Sequence, residues 1–199
     1  EETEDYIRRA VLENACVQFV PGSIDFVMKA RRDPVFAAEL NRSDVVFADG
    51  VPIVWAASLL GDSIKGRVSG TDIVWSCAQI SAETGCGVAM VGGEYSLTQR
   101  AAQQMIERYP RARLYPIFTP FPLGDNESRG LMEEIKTSNC KIVLAALGAP
   151  RQERWVQKYL KACGANVGIG IGSAFDIISG DKPRAPKWMC DNGLEWFYR

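Results

Sequence analysis

Short apolar runs rich in β-branched residues recur along this chain, each stopped by glycine or proline and followed by a stretch long enough for a helix. Val45-Val46-Phe47-Ala48 runs into Asp49-Gly50, and Gly87-Val88-Ala89-Met90-Val91 into Gly92-Gly93. Residues 142–147 run into Gly148-Ala149-Pro150, and residues 166–171 into Gly172-Ser173. Runs of this kind read as strands buried on both faces, and their alternation with longer helices calls for a parallel sheet covered on both sides. The expectation is an α/β fold: a single Rossmann-like domain over residues 1–199, with a mostly parallel sheet and helices on both faces.

Two more strands are predicted at 16–20 and 113–118. Helices are predicted at 4–13, after Ser23, at 35–40, 53–60, 71–83, 96–108, 127–137 and 151–161. Ser23 and Ser96 read as N-caps, Asp33-Pro34 as a break, 62–69 as a polar loop and 119–126 as a Pro-rich loop. No internal repeat or linker divides the chain.

Composition removes whole classes of chemistry. The chain has no histidine, which excludes Ser-His-Asp and Cys-His nucleophile schemes and most zinc sites. Proton transfer then falls to Asp, Glu, Tyr, Lys or Cys. The six cysteines are scattered without a C-x-x-C pair, which suits a reduced protein with Cys86 and Cys140 as small core residues. A net charge of −1 supplies no global field for nucleic acid. The apolar runs are too short to cross a membrane, and the first residues show no signal-peptide pattern. No Gly-Lys-Ser/Thr triplet and no D-x-D string occur.

Four strand ends carry unusual loops, 48–50, 91–94, 147–150 and 171–174, and a parallel sheet gathers them on one edge. Glycine there lets a backbone approach a ligand, and the following helix N-termini offer N–H groups to an anion. A phosphorylated ligand, a nucleotide above all, suits that edge. Without D-x-D, a diphosphate would be met by arginine, lysine and helix termini. Asp49 has two readings, a cap for the helix that Pro52 helps to start or a carboxylate at the ligand-bearing edge. Arg151 can reach phosphate, and Gln152 can bond to a sugar or base. Glu153 reads as a first-turn acid complementing the helix dipole and Arg154 as part of a solvated face. Gly168-Ile169-Gly170-Ile171-Gly172 imitates a dinucleotide fingerprint but lacks the third glycine at its spacing, so it is discounted as a hydride-transfer signal.

Five strings then occur in order: Asp49-Gly50 after an apolar strand; Arg67-Val68-Ser69-Gly70-Thr71-Asp72; Gly148-Ala149-Pro150-Arg151-Gln152-Glu153; Gly172-Ser173-Ala174-Phe175-Asp176; and Arg184-Ala185-Pro186 with Gly193-Leu194-Glu195-Trp196. Together they resemble the bacterial TagA/WecG/CpsF family of glycosyltransferases over about residues 19–199. The resemblance implies an inverting, metal-independent enzyme of surface-polymer synthesis without a cofactor. It would move N-acetylmannosamine or a related sugar from a UDP-sugar to a polyprenyl-diphosphate-linked acceptor. It implies Asp49 as general base, with Arg67 and Gln152 at positions that hold donor or acceptor. Ser23, Gly92, Gly93, Gly148, Arg151, Gly172 and Ser173 complete the expected substrate contacts, and Asp72 and Asp176 read as structural or ribose-binding.

This chain has Val20-Pro21-Gly22-Ser23 where members commonly carry Thr-Pro-Asn, with Ser23 in the asparagine's place after a one-residue shift. By the same likeness the enzyme is cytoplasmic, peripheral to the inner face of the cell membrane, with homo-oligomers plausible. Members extend beyond the Trp196 position in a basic, aromatic tail that touches the membrane and completes the site. The chain as given stops at Arg199, so weak lipid binding and slow turnover are expected. Trp188, Trp196, Phe197 and Tyr198 read as surface for such a tail, as core or as a subunit interface. Two other functions compete: a sugar-nucleotide-binding module of this fold without catalysis, supported by the 20–23 loop, and dinucleotide-dependent hydride transfer, resting on fold analogy.

Overall fold

The computed structural model describes residues 2–120, 122–186, 188 and 189; Cys190, the 193–196 string, Phe197 and Tyr198 lie outside the described residues. Among the described residues six strands form one sheet: β1 (Val17–Gly22), β2 (Val45–Ala48), β3 (Gly87–Gly92), β4 (Arg113–Ile117), β5 (Cys140–Ala146) and β6 (Val167–Gly170). All five pairings are parallel, in the order β2-β1-β6-β5-β3-β4. The helices are α1 (Glu2–Leu12), α2 (Ile24–Arg32), α3 (Pro34–Arg42), α4 (Val51–Leu59), α5 (Gly70–Thr84), α6 (Tyr95–Arg108), α7 (Asp125–Thr137), α8 (Arg151–Tyr159) and α9 (Ala174–Ile178).

Side chains alternate along each strand, so the inner strands feed a core on either face of the sheet. Phe19, Met90, Leu144 and Ile169 point toward α1, α5, α6 and α9, where they meet Ile7, Ile73, Met105 and Phe175. Val91, Val143 and Ala145 point the other way, onto Leu131 and Ile135 of α7 and Trp155 and Val156 of α8. Val20, Phe26 and Phe36 form a smaller cluster under α2 and α3 on that second face. Helix α4 stands apart. None of its residues is buried, and Trp55, Leu59 and Leu60 at its end are 54%, 88% and 83% exposed. No helix among the described residues is long and apolar enough to cross a membrane.

Several local expectations are corrected. Helix α6 begins at Tyr95 with Glu94 as its N-cap; Ser96 lies inside, its hydroxyl donating to Glu94 Oε1 at 2.5 Å. Ser23 holds the N-cap position of α2, but its side chain makes no cap hydrogen bond. The N-cap of α4 is Gly50, so Asp49 precedes the cap. The short helix α9 was not anticipated at all. The five described cysteines are free thiols; Cys140 is buried, and desolvation pushes its thiol up to about 12.

The glycines of β6 serve packing. Gly168 and Gly170 both face α8, where a Cβ on Gly168 would lie 2.4 Å from Val156 Cγ1 and 3.0 Å from Leu160 Cδ1. Gly168→Ala therefore overpacks the interface and is expected to cost about 1–3 kcal/mol. A lower urea midpoint at unchanged slope would register that cost, whereas an unaltered midpoint would show that α8 can retreat freely.

Candidate active site

The chain order places a switch point between β3 and β5. From β3 the chain passes through α6 to β4 on one side; from β5 it passes through α8 to β6 on the other. Ligands in open α/β sheets bind outside the carboxyl ends of the strands at such a divide. Among the described residues, two cavities along this edge hold most of the candidates.

The smaller, about 230 Å³, lies over the ends of β1, β2 and β6. Its walls bring together Ser23, Asp49, Gln152, Gly172 and Ser173, five of the residues singled out in the sequence, along with Lys29 and Thr71. Asp49 is partly buried, and its backbone N–H donates to Gly22 O at 3.0 Å, which ties the end of β2 to the end of β1. The next tether comes from the 62–69 loop, where Val68 N–H donates to Ala48 O at 2.9 Å. That bond sets Arg67 beside the Asp49 strand end, although Arg67 lines neither cavity.

Gln152 enters from the first turn of α8 and is 2% exposed. Its Oε1 accepts from Gly172 N–H at 3.3 Å, and its Nε2 donates to Glu153 Oε1 at 2.7 Å. Glu153 is itself 2% exposed, which corrects the reading of it as a dipole-complementing surface acid. Desolvation pushes its carboxyl up to about 7, against the hydrogen bond from Gln152. Arg154 is likewise more than a solvated face: it donates to Glu39 at 2.8 Å and to Asp33 at 3.2 Å, strapping α8 to α3.

The larger cavity, about 860 Å³, occupies the β3/β5 divide. Gly92, Gly93, Gly148 and Arg151, all singled out in the sequence, line it. Gly92 has φ of +85°, and a Cβ there would strike Ala146 O at 2.6 Å, so the neighbouring strand demands this glycine whatever binds. Thr119 holds the turn by accepting from Gly92 N–H at 2.9 Å. The remaining walls were missed: Pro120, Pro122 and Leu123 from the Pro-rich loop, and Trp155, Lys158 and Tyr159 from α8. Arg151, Trp155 and Lys158 recur at helical spacing, a signal that could have marked one face of α8. Lys158 and the Tyr159 hydroxyl both donate to Asp125 Oδ1, at 3.0 and 2.9 Å, and hold that carboxyl below its ordinary range.

Asp72 and Asp176 are engaged elsewhere, with Arg184 at 2.7 Å and Lys182 at 2.5 Å. Among the described residues no three Cys, Asp or Glu side chains converge closely enough to hold a metal ion.

Comparison with known proteins places the chain among named glycosyltransferases. A relative from Bacillus subtilis (strain 168) is 26% identical over 199 residues, covering 98% of this chain and 75% of its own length. One from Bacillus spizizenii is 25% identical over 187 residues, covering 94% and 72%. One from Staphylococcus aureus (strain NCTC 8325) is 23% identical over 180 residues, covering 90% and 70%. All three are named N-acetylglucosaminyldiphosphoundecaprenol N-acetyl-beta-D-mannosaminyltransferase. The family model described as "Glycosyl transferase WecG/TagA/CpsF family" matches residues 1–199, and the chain belongs to that family of glycosyltransferases.

Proposed function

We propose that this chain transfers N-acetylmannosamine or a close relative from a UDP-sugar to a polyprenyl-diphosphate-linked sugar, with inversion and without a metal ion. The observation that carries the reading is a shared wall. The 148–150 loop and the first turn of α8 turn Gly148 and Arg151 toward the larger cavity and Ala149 and Gln152 toward the smaller, where Asp49 stands. A donor whose nucleotide fills the larger space can reach its sugar over that loop toward the carboxylate. The volume of the larger cavity lies within the range of about 300–1,000 Å³ usual for ligand sites.

The chemistry is a single displacement. The acceptor hydroxyl oxygen bonds to the anomeric carbon as its proton passes to Asp49, and the bond from that carbon to the diphosphate oxygen breaks, its electron pair leaving on UDP. Arg151 and Lys158 supply positive charge where the leaving group gathers negative charge. Helix α4, starting beside Asp49, exposes Trp55, Leu59 and Leu60, an apolar end suited to meeting a bilayer that carries the acceptor's lipid.

Incubation of the protein with UDP-sugars and a lipid-diphosphate N-acetylglucosamine analogue in EDTA tests the reading. Transfer should persist under chelation. Asp49→Asn should lower turnover by about 10²–10⁴-fold with donor affinity retained; near-normal turnover in that variant would remove Asp49 as the base. UDP-sugar binding with no product would instead support a binding module. Arg151→Ala should weaken UDP binding about tenfold, less at high salt, by calorimetry. Leu59→Glu with Leu60→Glu should reduce vesicle binding and transfer to the lipid acceptor while sparing a water-soluble acceptor; equal losses on both would place the lipid elsewhere.

A further inference from the structure

Glu153 is the one acidic side chain of α8, and it points inward. Its Oε1 accepts from Gln152 Nε2 at 2.7 Å, while its Oε2 is buried without a hydrogen-bond partner. The bare Cα of Gly170 makes the room. A Cβ there would stand 2.4 Å from Glu153 Oε1 and 2.6 Å from Gln152 Nε2. From the opposite side, Gln18 Nε2 donates to Glu153 O at 2.9 Å and fixes the backbone of the same turn.

Polar atoms are not buried this way without consequence. An amide can present either end, and what holds the Gln152 oxygen toward Gly172 N–H is an obligate acceptor at its nitrogen. We propose that Glu153 is a positioning residue: it sets the orientation of the Gln152 amide, and through it the Gly172 turn that lines the Asp49 cavity. The proposal rests on the transferase reading for its kinetic consequence and on geometry alone for its existence.

The grip depends on charge. With the carboxyl pushed up to about 7 by desolvation, Glu153 changes protonation near neutrality. The charged groups facing it from packed elements are Lys29 of α2, which favours ionisation, and Glu39 of α3, which opposes it; Gln18 of β1 and Gly170 of β6 contribute none. On α8 itself, Arg154 is engaged by Glu39 and Asp33. Protonation at the unpartnered Oε2 leaves Oε1 a neutral, weaker acceptor, because hydrogen bonds to a carboxylate are roughly twice as strong. The amide is therefore held more firmly above the transition than below it. Stability runs in the opposite direction. The folded carboxyl binds its proton more tightly than an unfolded one of ordinary value 4.5, so stability falls as pH rises from there through about 7.

Glu153→Gln is near-isosteric and cannot ionise, so it removes the charge and the obligate acceptor at all pH, which makes it the test. In wild type, kcat/KM for sugar transfer should rise about threefold from about pH 6 to about pH 8. In the variant that step should vanish, leaving the rate near the acid-side value. The independent readout is NMR of the full chain without substrate. The Glu153 carboxyl carbon and the Gly172 amide should titrate together near neutrality in wild type, and the Gly172 titration should be lost in the variant. Should wild type fail to transfer sugar while these titrations appear, the positioning role stands and the transferase reading falls. A Gly172 amide that does not move with Glu153, or that moves equally in the variant, overturns the proposal.

Discussion

Helix α8 can lie close against β6 only because Gly168 and Gly170 offer no side chain to hold it off. Val156 and Leu160 fill the space over Gly168, and the Gln152 and Glu153 side chains fill the space over Gly170. Close packing at one end of the helix thus carries a polar pair into the protein at the other. Because a helix turns through 3.6 residues, burying Gln152, Glu153 and Val156 leaves Arg151, Arg154 and Lys158 facing outward. One short helix therefore gives a hydrogen-bonded inner wall to one cavity and a cationic rim to the other.

The sheet order does the rest. With β6 between β1 and β5, the loop after β6 lies beside the Ser23 end of β1, the 148–150 loop after β5 and the first turn of α8. Asp49, at the end of the outermost strand, is drawn inward by its N–H bond to Gly22 and by the return of the 62–69 loop onto Ala48. A carboxylate, an amide and two glycine turns from four different strands meet in a small space. Proton transfer from an incoming alcohol asks for a carboxylate at such a concave rim, within reach of bound substrate.

Much of this was legible in the residues. The inner strands β1, β3, β5 and β6 were readable because both their faces are buried, which forces largely apolar runs, and the convergence of the glycine ends follows once the sheet is parallel. Asp49, Gln152 and Arg151 could be singled out because each stands just past a strand end. Their environments were less visible. Glu153 looked like a surface acid, since first-turn carboxylates usually are, and its burial depends on a glycine seventeen positions away. Ser96 looked like a cap because serine often is; the helix starts one residue earlier and leaves its hydroxyl to bond Glu94. The Pro-rich loop carried no chemistry of its own in sequence, yet Thr119 and Leu123 wall the larger cavity because β4 ends next to β3.

By itself the sequence determined the class of fold, the edge on which the glycine-bearing strand ends gather and the chemical types available there, because periodicity and the absence of histidine act locally and without regard to partners. Only the tertiary structure decided that the candidates other than Arg67 divide between two cavities, that the dinucleotide-like glycines of β6 serve helix packing, and that Glu153 is desolvated. Each of those depends on which strand lies beside which, and strand order is a property of distant residues brought together rather than of any segment read alone.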